Sequence, residues 1–405
     1  MKLSQIINNP SESFIHMERY VNFSVCFEET FLGEINRRYS SFYGDGVIEL
    51  ALLDVPKRII KVSTNSNTDQ ALRDKFIQNQ KIRFAVHPQV IDEKLCSAVN
   101  NLLKESVYLD NILAHPTASM RTLFVNDELH PYFLKTHFPR RISSNSRGIC
   151  SDDIERGQWL TEEFNRLSME RVLPKEIGYF PDSIGFLYES NGAAGVIVRD
   201  FTAYPKTPIQ RIYVPMTSLF AKDKHSPKDK LLVEQLAEFK KKKLIDYLIE
   251  DIVTPHIKNW SWMVFEAGII FSSHGQNTVL EFDQEWNVKR IDYRDFQGKI
   301  VISKIRKEKG YLLPDKLFDR EINMDIKKEI SLSYDFVIGF LLYDRMIKEL
   351  SNQGFQTSEI KPRIKEIFYQ QIRTPDDFFE EGRHYYFGFQ NAKRIVVTEE
   401  KPGYR

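Results

Sequence analysis

Cysteine is scarce in this 405-residue chain, with Cys26, Cys96 and Cys150 as the whole complement. They lie far apart, form no CxxC pair and are odd in number. That excludes a disulfide framework and a cysteine zinc site, and fits a reducing compartment. Charge of one sign is also missing. Lys plus Arg (57) against Asp plus Glu (56) leaves a net charge of +1, so no global field draws the protein to nucleic acid or anionic lipid. Long hydrophobic runs are absent too. The longest clean apolar stretch, Phe336 to Tyr343, has eight residues, against the roughly 20 that cross a bilayer. The opening segment Met1 to Phe14 lacks the apolar core of a signal peptide. Repeats and low-complexity tracts are missing as well. These absences point to a cytoplasmic enzyme or a large binding protein with no membrane partner and, short of a local basic patch, no nucleic-acid partner; a homodimer is compatible with them.

What is present is core-forming material. Apolar residues make up 42% of the chain, with 29 Phe and 18 Tyr, enough for two or three domains of ~100–200 residues. Strands are expected at 46–53, 58–63, 120–125 and 132–137. The pair 184–189 and 195–201 reads as a hairpin closed by Asn191-Gly192. Helices are expected over 69–78, 90–109, 151–167 (with Ser151 near its N-cap), 332–350 and 359–371. A long helix over 231–262, broken near Pro255, would carry Lys240 to Lys243 on a solvated face. The charged stretch 221–230 reads as a linker or surface loop, His115-Pro116 and His130-Pro131 as turns, His384 as packing, and 394–398 as a last strand. A division follows: a short N-terminal region 1–110, a phosphate-binding region 111–220, and a region 221–405 that carries the main motif.

That motif is Ser272-Ser-His274-Gly-Gln276-Asn277, followed by Arg294-Asp295. Residues 278–282 and 288–293 alternate as two antiparallel strands, so Asn277 and Asp295, eighteen positions apart, meet at the open end of a hairpin. An amide oxygen and a carboxylate are hard ligands that suit Mg²⁺ completed by nucleotide phosphates and water. His274 and Gln276 would enter the same cleft as donors. Kinase-type sites add an Asp shortly before the Asn to take a proton; positions 272–276 offer no carboxylate. A site without that base suits a nucleophile already charged, such as a carboxylate attacking the α-phosphorus of ATP. Upstream, Ser119-Met-Arg121-Thr122, Lys135 in a strand, and Arg147 after the turn Ser143-Ser-Asn-Ser supply hydroxyls and cations within about thirty residues, a set matched to anion binding.

In this order the motifs resemble the NRPS-independent siderophore synthetases, the IucA/IucC family. The carriers are Gly268…His274-Gly-Gln276-Asn277, then Arg294-Asp295-Phe-Gln-Gly298; Val86-His87-Pro88-Gln89; Ser119-x-Arg121-Thr122; Lys135; Arg147; and Gly195-Val-Ile-Val-Arg199. Ser272 stands where the family has Glu, and the family's early HPxHPxxK motif is absent. The resemblance implies an α+β, cupped-hand architecture of thumb, fingers and palm, with largely antiparallel sheets and a central nucleotide cleft. It implies an ATP- and Mg²⁺-dependent ligase that adenylates a carboxylate such as citrate and condenses it with an amine or alcohol. Carried over, Ser119, Arg121, Thr122, Lys135, Arg147, His274, Gln276 and Asn277 would hold the nucleotide. His274, Arg147 and Lys135 would be catalytic, and Asn277 with Asp295 would hold the metal. The alternatives are a kinase-like phosphotransferase and a family member that binds nucleotide without ligating.

Overall fold

The computed structural model describes residues 1–23, 33–44, 46–142, 145–296, 300–315, 325–372, 374–390, 393–399 and 403–405. Cys26, Ser143, Ser144, Gln297 and Gly298 lie outside the described residues.

The fold is α+β with mostly antiparallel sheets. Nine strands form the larger sheet in the spatial order Ile60–Thr64, Asp182–Glu189, Ala193–Asp200, Tyr132–Thr136, Thr122–Val125, Val107–Pro116, Ile48–Pro56, Lys81–Val86 and Ile77–Gln78. Every neighbouring pair in it is antiparallel. Period-2 alternation sends Leu123, Leu134, Val196 and Val198 to one face, where they join a core with Leu72, Phe76, Val99 and Leu102 from two covering helices. The opposite face carries Phe124 and Phe133. These pack with Phe14 of helix Pro10–Tyr20 and with Val279. Thr122 faces Lys135 across the ladder, so both lie on this second face, next to the phenylalanine cluster.

Val279 belongs to the second sheet, ordered Ile177–Tyr179, Val288–Tyr293, Thr278–Phe282, Ile212–Pro215. Its outer strand Ile177–Tyr179 runs parallel to its neighbour; the other pairs are antiparallel. Gly178 is required there, because a Cβ would sit 1.9 Å from the Asp292 carboxylate. The other face of this sheet, through Leu280, Phe282, Ile291 and Tyr293, enters a core built with the C-terminal helices. Met17 of helix Pro10–Tyr20, Val21 just after it, and Leu160 and Phe164 of helix Ser151–Met169 complete that core.

Several expected elements differ. The helix expected over 90–109 is two short helices, Pro88–Asp92 and Ser97–Lys104, followed by strand Val107–Pro116. Lys94 takes a left-handed backbone between the helices, and the β-favouring Val-Tyr-Leu run pairs with Ile48–Pro56. His115-Pro116 therefore ends a strand instead of making a turn. The 231–262 helix breaks at the lysines, not at Pro255. Lys240 caps Leu232–Phe239 and Lys241 is left-handed, whereas 244–266 runs on through Pro255 with wide, π-type turns. Thr254 Oγ1 donates to Ile249 O at 2.8 Å in the turn ahead of that proline. The lysine run is thus a turn, not a helix face, with Lys240 on Glu285 O and Asn287 and Lys242 on Glu250 and Asp251. The 221–230 stretch is a loop held down by buried Asp223, which bonds His16 at 3.1 Å. Cys150, not Ser151, caps helix Ser151–Met169. No helix among the described residues is long and apolar enough to cross a membrane.

Candidate functional site

The sheet's second face supplies one wall of the site. The turn after Val107–Pro116 is stitched by its hydroxyls: Thr117 Oγ1 donates to Thr122 O at 2.8 Å, and Ser119 Oγ accepts from Thr122 N at 3.2 Å. Met120 takes a left-handed φ of +64° in that turn. Arg121 follows. Its carbonyl accepts from Thr136 N and Oγ1, both at 3.0 Å, and its guanidinium donates to the carbonyls of Arg147 and, at 3.2 Å, Gly148. The side chain that sequence reading gives to phosphate holds the strand bearing Arg147 against the sheet. Arg147 itself is half-buried, and its Nε donates to Ile142 O at 3.4 Å.

Cations crowd here. Burial first, then the charge of Arg147, pulls Arg121 down to about 10. Lys135, 3% exposed, is lowered to about 8 by burial, with Arg121 and Arg199 pushing the same way and Asp295 and Asp182 opposing them. Arg199 is matched by Asp182 at 2.7 Å. Arg147 and Arg199 both lower the proton affinity of Arg121, and Arg121 and Arg199 that of Lys135, so the cluster has the chemistry to take an anion.

The second wall is the loop before the 278–293 hairpin. Thr278 pairs with Tyr293 as the period-2 pattern predicts, and Arg294 N donates to Asn277 O at 3.1 Å. The loop closes on itself: Asn277 N donates to His274 O at 2.8 Å, and Thr278 Oγ1 donates to Ser273 O and His274 O, both at 3.1 Å. His274 and Gln276 are half-buried. Asp295 leaves the strand with φ +69°, and its carboxylate forms an ion pair with Lys135 Nζ, joining the two walls.

The structure thus brings Ser119, Arg121, Thr122, Lys135, Arg147 and Asp295 together through named bonds. It puts Gln276 and Asn277 on the adjoining loop, with their carbonyls held by Arg294. Asn277 Nδ2 is committed to Ser272 O at 2.9 Å, which leaves Oδ1 as the end of that amide open to a cation. Among the described residues no group of three or more His, Cys, Asp or Glu side chains could hold a metal. An amide oxygen and one carboxylate therefore fit only a hard cation that takes its remaining ligands from phosphate and water, as Mg²⁺ does. His87 stands apart. It is fully buried against Tyr39 and Phe138, caps helix Pro88–Asp92 through Nδ1, and burial lowers it to about 3; it is a packing residue.

Sequence reading missed Glu18. This fully buried carboxylate accepts from Ala118 N at 3.1 Å and from Arg294 Nη2 at 2.5 Å. Its only local signal is its position four residues after Phe14, on the apolar face of an amphipathic helix.

Residues 37–221 match the IucA / IucC family model. No curated protein sequence matches the chain. Among solved structures, the petrobactin biosynthesis protein AsbB from Bacillus anthracis str. Sterne superposes with a TM-score of 0.69 at 16% identity, covering 92% of this chain and 71% of that one. The ATP-bound aerobactin synthetase IucA from a hypervirulent pathotype of Klebsiella pneumoniae gives 0.67 at 12% identity, covering 98% and 80%. Aerobactin synthetase IucC from the same source gives 0.62 at 13%, covering 84% and 65%. At these identities the likeness is one of fold. Residues 37–221, the stretch bearing Ser119, Arg121, Thr122, Lys135 and Arg147, thus carry the signature of the IucA / IucC family that their motifs resemble, and the chain shares its fold with these solved structures.

Proposed function

We propose that the protein is an ATP-dependent ligase that activates a carboxylate as its acyl-adenylate and passes it to an amine or alcohol. The observation that carries this reading is the gathering of buried Lys135 and buried Arg121 around Asp295, with Arg147 beside Arg121, opposite a loop that offers donors and an amide oxygen but no carboxylate base. The IucA / IucC match and the fold shared with an ATP-bound aerobactin synthetase support it.

In the first step a carboxylate oxygen of the substrate attacks the α-phosphorus of ATP, the bond to the bridging oxygen breaks, and pyrophosphate leaves. The attacking group is already ionised, so no general base is needed. In the second, the amine or hydroxyl attacks the acyl carbon, loses a proton and displaces AMP. Ser119, Thr122, Arg121, Lys135 and Arg147 bind the phosphates and stabilise the charge that gathers on the leaving pyrophosphate. His274 and Gln276 orient the nucleotide from the other wall. Asn277 and Asp295 would hold Mg²⁺, which when bound neutralises phosphate charge. This reading takes in the cupped-hand arrangement divided near 110 and 220, small-molecule substrates and a cytoplasmic setting.

The test is product analysis with Mg²⁺-ATP over a panel of carboxylates and amines. Carboxylate-dependent AMP and pyrophosphate are expected, and His274→Ala, Arg147→Ala and Asp295→Ala should each abolish them. ADP as the product would make the protein a phosphotransferase. Nucleotide binding without turnover across the panel would favour the binding-only reading, which Ser272 in place of the family's Glu recommends.

A further inference from the structure

Helix Pro10–Tyr20 is distant in sequence from both walls, yet it reaches between them. Phe14 docks it on the phenylalanine cluster with Phe124, Phe133 and Phe201. One turn later Glu18 is fully enclosed, with Oε2 on Ala118 N at 3.1 Å and Oε1 on Arg294 Nη2 at 2.5 Å. The same guanidinium donates to Gln276 O from Nε at 3.0 Å and from Nη2 at 2.6 Å, while Arg294 N donates to Asn277 O at 3.1 Å. One carboxylate therefore ties the residue before Ser119 to the two residues that follow His274-Gly275.

A buried ion pair is a weak stabiliser, because desolvating both charges offsets most of their attraction; what it sets well is geometry. We propose that Glu18 is a positioning residue of the nucleotide site: through Ala118 N and Arg294 it fixes the spacing between the Ser119–Thr122 turn and the His274–Asn277 loop. The proposal rests on the nucleotide reading above. It places the site's frame partly in the N-terminal helix, which lies outside the stretch that matches the family model.

The experiment measures Mg²⁺-ATP binding by calorimetry and thermal stability on the full chain, for wild type, Glu18→Gln and the paired variant Glu18→Leu/Arg294→Met. Glu18→Gln keeps the volume but presents an amide N–H where an acceptor is needed, and its Kd should rise about tenfold. In the paired variant both charges are gone, so no buried charge is left unpaired; Ala118 N and Gln276 O still lose their partners, so Tm should recover part of what Glu18→Gln loses, while Kd stays raised about tenfold or more. Recovery of wild-type affinity along with Tm would mean that Glu18 only balances the charge of Arg294, and would overturn the proposal. Should the paired variant not fold, hydrogen exchange of Glu18→Gln decides. Amides of 117–122 and of 274–277 should lose protection together, and unchanged protection at either would overturn it. Wild type failing to bind Mg²⁺-ATP would remove the nucleotide reading and this inference with it. Wild type binding tightly with Glu18→Gln its equal would remove the inference alone.

Discussion

The two walls of the site are built differently. The sheet wall rests on regular strands: Lys135 is fixed by ladders on both sides, opposite Thr122 and Ile197, and Arg121 is locked by main-chain bonds at each end. The loop wall has no ladder through 274–277. Its order comes from short local bonds, from Arg294, and from packing beneath Gly275. A wall of this first kind presents charge in a preset position. A wall of the second kind has its position set by a few contacts, and those contacts are where it can be moved.

The largest expected effect comes from stripping charge out of the rigid wall. Lys135→Met should weaken Mg²⁺-ATP binding by about 2–3 kcal/mol, roughly 30- to 150-fold in Kd. Because burial already disfavours the charged amine, Tm at neutral pH should hold or rise. Calorimetry together with a thermal melt checks both halves; a fall in Tm with affinity kept would reverse the assignment. Next in size, Asp295→Asn should cost about tenfold in the affinity for ATP with Mg²⁺. Affinity for ATP in EDTA should hold or improve, since the amide no longer competes with phosphate for Lys135. Titrations with and without metal compare the two.

On the loop wall, Gly275→Ala would press a methyl to 2.9 Å from Thr217 Cγ2 and 3.0 Å from Leu342 Cδ1. A loss of about 1–2 kcal/mol in denaturant stability is expected, with a Kd increase beyond it if the loop shifts. The smallest effect concerns the far end of the sheet wall, where His130 holds Asp200 at 3.1 Å and its proton affinity is raised, chiefly by that bond. A raised histidine stabilises the fold fully below its unfolded pKa of about 6.5 and loses that contribution as pH rises through the higher folded value. With His130 half-buried, solvent screening keeps the term to about a few tenths of a kcal/mol. His130→Gln should flatten that part of the stability–pH curve and leave nucleotide binding alone.

The same contrast governs what could be read beforehand. Strands with alternating residues declare themselves: 122–125, 132–136, 278–282 and 288–293 fall where the pattern places them, and Asn191-Gly192 closes its hairpin with both residues at positive φ. The positions of Lys135 inside a strand and of Asp295 just past a hairpin end were legible because they follow from the alternation of the strands around them. Failures came where local pattern was ambiguous. Val90 to Leu109 has helical spacing, but a left-handed Lys94 splits the helix in two and sheet pairing claims the last three residues. The lysine run looked like a face because apolar residues flank it, though it makes a turn between two helices. Glu18 was invisible because its partners, Ala118 and Arg294, are 100 and 276 positions away, and nothing in the helix alone says which distant groups need a carboxylate.

Asp295 carries one more lesson. Its backbone sits in the left-handed region at φ +69°, a conformation that Asp and Asn tolerate better than longer or branched residues. Replacing it with Glu would keep the negative charge but move it further along the side chain, from a main-chain geometry Glu adopts reluctantly. Under the proposed metal role, efforts to retune which cation the hairpin end accepts have a narrow menu at this position, and neighbouring sites offer more room for engineering than the acid itself.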